Sequence, residues 1–152
     1  MLREPTIASS RTRDGGASSG DASHPVLNSA LIHAVARVTI AFVWLWHGLV
    51  PKLLFHDADE VQMLAQAGVA DRWLSWIGLA EIAMAVAVLA TWRWRGMFVA
   101  QAALMAAALV AVAVQSPAYM THAFNPVTLN MQVIALAVVG WLSQRRVLSA
   151  QQ

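Results

Sequence analysis

The chain contains no cysteine. That excludes thiol–disulfide exchange by its own side chains, thiolate metal ligation and lipid attachment through sulfur. It leaves the compartment open, because a chain without thiols is indifferent to redox poise. Charge is the next scarcity: 12% of the 152 residues are charged, against about 25% in a soluble globular domain. The net charge of +2 gives no case for nucleic-acid binding. A haem-attachment pattern and a flavin or nicotinamide fingerprint are both missing, so the chain has no electron carrier of its own.

What fills the sequence instead is apolar: 59% of the residues are hydrophobic. They fall into four blocks, Leu31–Val50, Trp73–Thr91, Gly96–Val114 and Val127–Leu142. At 1.5 Å of rise per residue, a helix of about 20 residues crosses the roughly 30 Å hydrocarbon core of a bilayer. The blocks therefore predict an all-α integral membrane four-helix bundle, with the lipid bilayer as its first partner. Residues 30–146 form this single domain. Residues 1–29, rich in Ser, Gly and Asp, read as a disordered tail that cannot bury apolar surface, and residues 147–152 as a short C-terminal tail. The first apolar run starts too far along the chain, and is too long, for a usual secretory signal.

Positive charge predicts the orientation. Arg3, Arg11 and Arg13 precede the first span, Arg93 and Arg95 separate the second from the third, and Arg145 and Arg146 follow the fourth. The opposite side has only Lys52 and Arg72. Both termini are expected in the cytoplasm of a bacterial cell, the protein being multi-pass in the inner membrane. Trp44, Trp46, Trp73, Trp76, Trp92, Trp94 and Trp141 lie near block ends, at headgroup level.

The longest connection, Pro51 to Arg72, predicts a short amphipathic helix on the outer surface. Asp57 with Glu60, or Asp59 with Gln62, supplies an N-cap and its reciprocal partner, and Gly68 a stop. A cation site from His56, Asp57, Asp59 and Glu60 is the weaker reading, since four adjacent residues cannot all point at one ion, and no metal site is expected. Asn125 is a natural N-cap and Pro126 suits a first helical position, which sets the start of the last span. A tight turn between spans two and three predicts an antiparallel helical hairpin. The third span, with Ala100, Ala103, Ala106, Ala107 and Ala111, is expected to pack centrally, because small residues let helices approach closely in lipid.

Ionisable residues inside a bilayer are functional candidates by default. Here they are His33, Arg37, His47 and Glu81, joined by neutral Gln101, Asn130 and Gln132. At 100° per residue, His33, Arg37, Ile40, Trp44, His47, Gly48 and Pro51 share one face of the first span. Gly78, Glu81 and Ala85 share a slim face of the second. Counting rise places Glu81 about 12 Å below the outer edge and Arg37 about 20 Å below it. An Arg37–Glu81 pair is within reach but stretched. Arg37 can instead snorkel toward the cytoplasmic headgroups, and His33, near the span edge, reads as interfacial. The predicted site is a polar core running from Arg37 through Glu81 to His47, Asn130 and Gln132, opening outward, with Trp44 beside it. Its bland counterpart is packing: an Arg–Glu pair that only fixes helix register.

Three stretches carry a resemblance. They are Trp44-Leu45-Trp46-His47-Gly48-Leu49-Val50-Pro51-Lys52-Leu53-Leu54-Phe55, Gly78-Leu79-Ala80-Glu81-Ile82 and Ala123-Phe124-Asn125-Pro126-Val127-Thr128-Leu129-Asn130. In order and spacing the chain resembles, over about residues 30–142, the DoxX-like family of small bacterial four-helix membrane proteins. The resemblance implies the same fold and topology. It also implies an association with membrane redox complexes, since the family takes its name from subunits of a thiosulfate:quinone oxidoreductase. The matched polar residues are His47, Lys52, Glu81, Asn125 and Asn130. Physical reasons exist for them. Lys52, after Pro51, can bind a headgroup, an anion or a carboxylate such as Asp57, while Glu81 can exchange a proton with a bound quinone.

Three functions follow as expectations. The first is a membrane subunit of a redox or quinone-linked system, binding a small hydrophobic molecule through His47, Glu81, Asn130, Gln132 and Trp44, with Arg37, Lys52 and Asn125 pairing charges or shaping structure. A membrane or cytoplasmic oxidoreductase partner supplies the electrons, so the chain is not an enzyme by itself, has no catalytic residue set, and takes quinone as its only cofactor. The second is a scaffold or assembly protein without ligand chemistry. The third is a small-solute permease, which would need a homo-oligomer to make a path wide enough.

Overall fold

A computed structural model describes residues 24–121 and 125–149. Of the tail expected to be disordered over residues 1–29, residues 1–23 lie outside the described part, as do the last three residues, while residues 24–29 belong to the first helix. Five α-helices follow one another: α1 (His24–His47), α2 (Ala58–Gln66), α3 (Trp73–Ala90), α4 (Gly96–Gln115) and α5 (Pro126–Ser149). A π-helical turn, Gly48–Leu54, continues α1, and a 3-10 turn, Pro117–Thr121, follows α4. Four segments are long and apolar enough to cross a membrane: Asn28–Leu54, Trp73–Ala90, Gly96–Gln115 and Pro126–Arg145. Four crossings put both ends of this helical array on one side, the termini end, and α2 on the other.

The first helix starts at His24, earlier than its apolar block. Pro25 falls in the first turn, where a missing N–H costs nothing. The fourth span begins as the sequence predicts: Thr128 N–H donates to Asn125 Oδ1 at 3.0 Å, capping α5 ahead of Pro126.

The bundle is organised around α1, which packs against α3 on one side and α5 on the other, with α4 on the far flank of α5. Ala36, Ile40 and Ala41 of α1, Val88 of α3, Met97, Phe98 and Met105 of α4, and Val133 and Ala137 of α5 make one buried core. One expectation fails here. The third span is not central: Ala100, Ala103, Ala106, Ala107 and Ala111 all face outward. The close approaches are made elsewhere, by Ala36 and Ala41 of α1 in the core and by Gly140 of α5, where an added Cβ would lie 2.3 Å from the Phe98 ring. The second and third spans run antiparallel but not backbone to backbone. Side chains fill the gap between them, with Gln101 Nε2 set 3.3 Å from Met84 Sδ and 3.4 Å from Met97 Sδ.

Candidate functional site

The termini end holds Arg37, and its geometry rules out both expected roles. Arg37 is fully buried. Its Nη1 donates to Val88 O at 2.7 Å, its Nη2 to Trp94 O at 2.8 Å and its Nε to His33 Nε2 at 3.1 Å. Its guanidinium carbon lies 4.6 Å from the Phe98 ring centre. The last carbonyls of α3 have no intrahelical donors and carry the negative end of the helix dipole, so a guanidinium is the partner they favour. Arg37 is therefore a C-terminal cap for α3 supplied by α1. It neither snorkels to the headgroups nor pairs with Glu81. His33 is buried too, edge-on to Trp92 and Phe98 at 5.3 and 5.7 Å. Gln144 Nε2, from α5, donates to Arg93 O at 2.8 Å, so the α3–α4 turn is gripped from two helices.

The polar core expected to be continuous is thus divided. Midway, the Trp44 indole N–H donates to Gln101 Oε1. Asn130 is buried on α5, whereas Gln132 faces outward. The ionisable cluster sits nearer the α2 end. Lys52 is buried, at 4% exposure, and its Nζ lies 3.0 Å from Glu60 Oε1 and 3.0 Å from Glu81 Oε2. The Glu60 contact is a hydrogen bond; the Glu81 contact is a charge pair without hydrogen-bond alignment.

Local sequence explains why Lys52 arrives there. Pro51 has no N–H, so the carbonyl of His47 four residues back loses its α-helical donor, and the chain widens into a π-helical turn. Lys52 Nζ approaches that same carbonyl at 3.4 Å. The turn then crosses α3 at two glycines. A Cβ on Gly48 would lie 2.4 Å from Gly78 O, and one on Gly78 would lie 2.7 Å from Gly48 O and 2.9 Å from Lys52 Cβ. Only glycine allows the two backbones this close, and their contact brings the Lys52 side chain beside Glu81.

Glu60 was legible in the sequence as a capping partner or a member of a weak cation site, not as a partner of Lys52. Asp57 does cap α2, accepting from Asp59 N–H at 3.0 Å and Glu60 N–H at 3.3 Å. The Glu60 side chain does not reach back to complete the box: the Asp57 N–H already donates to Pro51 O at 2.8 Å, and Glu60 turns to the buried Lys52 ammonium. Asp57, offered as a partner for Lys52, is occupied by its cap. Helix α2 is fastened across the bundle by Gln66, which accepts from Ser116 Oγ, and by Gln62, whose Oε1 accepts from the Tyr119 hydroxyl at 3.2 Å. Gly68, with φ of 71°, takes the left-handed conformation that ends α2.

Along the seam of α1 and α3 runs an open apolar groove of about 260 Å³. Val38, Ala41, Phe42 and Leu45 line one side, and Ile82, Ala85, Val86 and Leu89 the other. Ile82 follows Glu81 directly in sequence and Ala85 lies one turn below it, but Lys52, Glu60 and Glu81 are not among the groove's lining residues.

Four apolar crossing helices, a buried arginine spent on a helix end and an ion cluster beneath a surface helix define a polytopic helical membrane protein. A family profile described as the DoxX-like family matches residues 41–138, more than half of the chain, and the chain belongs to that family. The match includes the Gly48–Gly78 crossing, Lys52, Glu60, Glu81 and the Asn125 cap. Comparison with curated proteins and with solved structures gave no significant match.

Proposed function

We propose that this chain is a membrane subunit of a redox system linked to quinone, resident in a bacterial inner membrane with its termini in the cytoplasm. It binds a small hydrophobic molecule at the α1–α3 seam, tail in the apolar groove and polar head toward Lys52 and Glu81. The observation that carries this reading is one buried ammonium shared by two carboxylates. Two carboxylates against one cation leave either a surplus negative charge or a retained proton, and such groups titrate as a unit. Reducing a quinone to a quinol takes up two electrons and two protons. An oxidoreductase partner supplies the two electrons, and Glu81 passes both protons inward in turn, reprotonated from the α2 end after the first.

A second reading has its own support. Arg37 and Gln144 are spent on backbone carbonyls of the α3–α4 turn, which is what a purely structural polar network looks like. On that reading the protein is a scaffold for a partner complex.

The two separate on gentle purification from the native membrane, with mass spectrometry of what accompanies wild type and Glu81→Gln. The quinone reading expects quinone enriched over bulk lipid in wild type, lost in Glu81→Gln at nearly unchanged thermal stability. An equimolar protein partner retained by both forms, with no enriched small molecule, would replace it with the scaffold reading.

A further inference from the structure

Charge is segregated along this bundle. Among the described residues, every carboxylate lies on α2, on the connections flanking it or on α3 at Glu81, while the termini end carries Arg37, Arg93, Arg95 and Arg145 and no acid. Arg37 is satisfied by carbonyls. Arg95 and Arg145 are not balanced in that way. They come from different helices, one at the start of α4 and one near the end of α5, yet both stack on Trp141, with guanidinium carbons 4.7 and 5.0 Å from its ring centre. They are held no farther apart than the sum of those distances. Arg95 makes one long hydrogen bond, from Nη2 to Trp141 O at 3.4 Å, and its buried Nε has no partner.

Bringing two like charges onto one indole is unfavourable unless an anion joins them. The place is the end of four membrane spans, at headgroup depth, where basic pockets between helices take lipid phosphates. The start of α4 adds its positive dipole end to the same corner. A guanidinium fork suits a phosphate's paired oxygens, and the stack on Trp141 fixes the fork's direction beforehand.

We propose that Arg95 and Arg145, braced on Trp141 at the α4–α5 corner, form a specific binding site for the phosphodiester of an anionic phospholipid. The lipid's glycerol and chains then lie along the outward apolar faces of α4 and α5.

The test uses the full chain in vesicles of phosphatidylcholine with an equal share of phosphatidylglycerol. The lipid retained after detergent extraction is counted by native mass spectrometry. Wild type should keep phosphatidylglycerol over phosphatidylcholine. Arg95→Gln and Arg145→Gln should each cut that preference by about fivefold, taking a headgroup-level arginine at its usual worth, while Arg93→Gln, off the Trp141 stack, changes it by less than twofold. Arg145 is exposed, so its variant tests the site even if Arg95→Gln folds poorly. Equal losses in all three variants would mean a diffuse positive field and would overturn the site. So would thermal protection by inorganic phosphate, in pure phosphatidylcholine, equal to that by phosphatidylglycerol, since the anion would then come from water.

Discussion

A guanidinium is tolerated in hydrocarbon only where its hydrogens find acceptors, and Arg37 finds a carbonyl of the last turn of α3, a carbonyl of the following turn and a ring nitrogen. Replacing it with leucine takes this donor from Val88 O in a low dielectric, at about 1–3 kcal/mol for an orphaned group, and leaves Trp94 O only the long 3.4 Å bond from the Met97 N–H. Arg37→Leu should therefore lower the melting temperature in detergent clearly. Arg37→Lys should recover only part, because a point charge cannot serve two carbonyls and lie flat on Phe98. A melting curve unchanged in Arg37→Leu would show that the carbonyls find water instead. The sequence made the inward direction of Arg37 legible, since His33, Ile40 and Trp44 share its helical phase. It could not reveal the partner. Backbone carbonyls at a helix end carry no residue identity, so a search for a counter-ion settles on Glu81, the only acid in the spans. The glycines divide the same way: Gly78 was recognisable as part of a slim face and Gly48 as part of the polar face of the first span, but their meeting becomes visible only when the π-helical turn brings the two backbones together.

At the scale of elements, α2 is the part whose role changes most between sequence and structure. Its amphipathic pattern, its Asp57 cap and its Gly68 stop were all readable. Its fastenings were not, because Glu60, Gln62 and Gln66 look like ordinary surface residues until the turn after α4 is set against them. The alanines of α4 show the converse. Small residues permit a close approach without demanding one, and in this bundle α4 presents them outward while Phe98 and Gly140 make its contact with α5. Docking of α2 can be followed through Tyr119, the only tyrosine in the chain. Burial first, and the Asp59 carboxylate second, hold its ionisation above the usual tyrosine range. The folded state thus keeps this proton to higher pH than the unfolded chain. The stability this confers is complete below the ordinary tyrosine pKa and is lost as pH rises through the raised value. A near-ultraviolet absorbance titration should give a single midpoint displaced upward. Asp59→Asn should bring it partway back, with the remainder due to burial and to the Asp57 carboxylate. An unshifted midpoint in wild type would mean that α2 and the 3-10 turn are not docked in solution.

The whole molecule has two unlike ends. One is an arginine end with the α3–α4 turn clamped by Arg37 and Gln144. The other is an acidic end where α2 covers the Lys52–Glu60–Glu81 cluster. The same asymmetry that orients the chain by its positive charges decides which compartment the cluster faces, so the proposed chemistry depends on it: protons reach Glu81 from outside the cell only if α2 lies outside. The natural absence of cysteine makes this directly measurable, because any single introduced thiol reports on its own position without a background. In intact bacterial cells a membrane-impermeant maleimide should label Ala70→Cys, in the exposed connection between α2 and α3, and leave Ser149→Cys, at the end of α5, unlabelled until the membrane is permeabilised. Labelling in the reverse order would invert the molecule, turn the cluster toward the cytoplasm and move the source of protons for Glu81 to the inside. Equal labelling of both before permeabilisation would be incompatible with the three crossings, α3, α4 and α5, that separate the two positions, and so with the four-span topology on which the orientation argument stands.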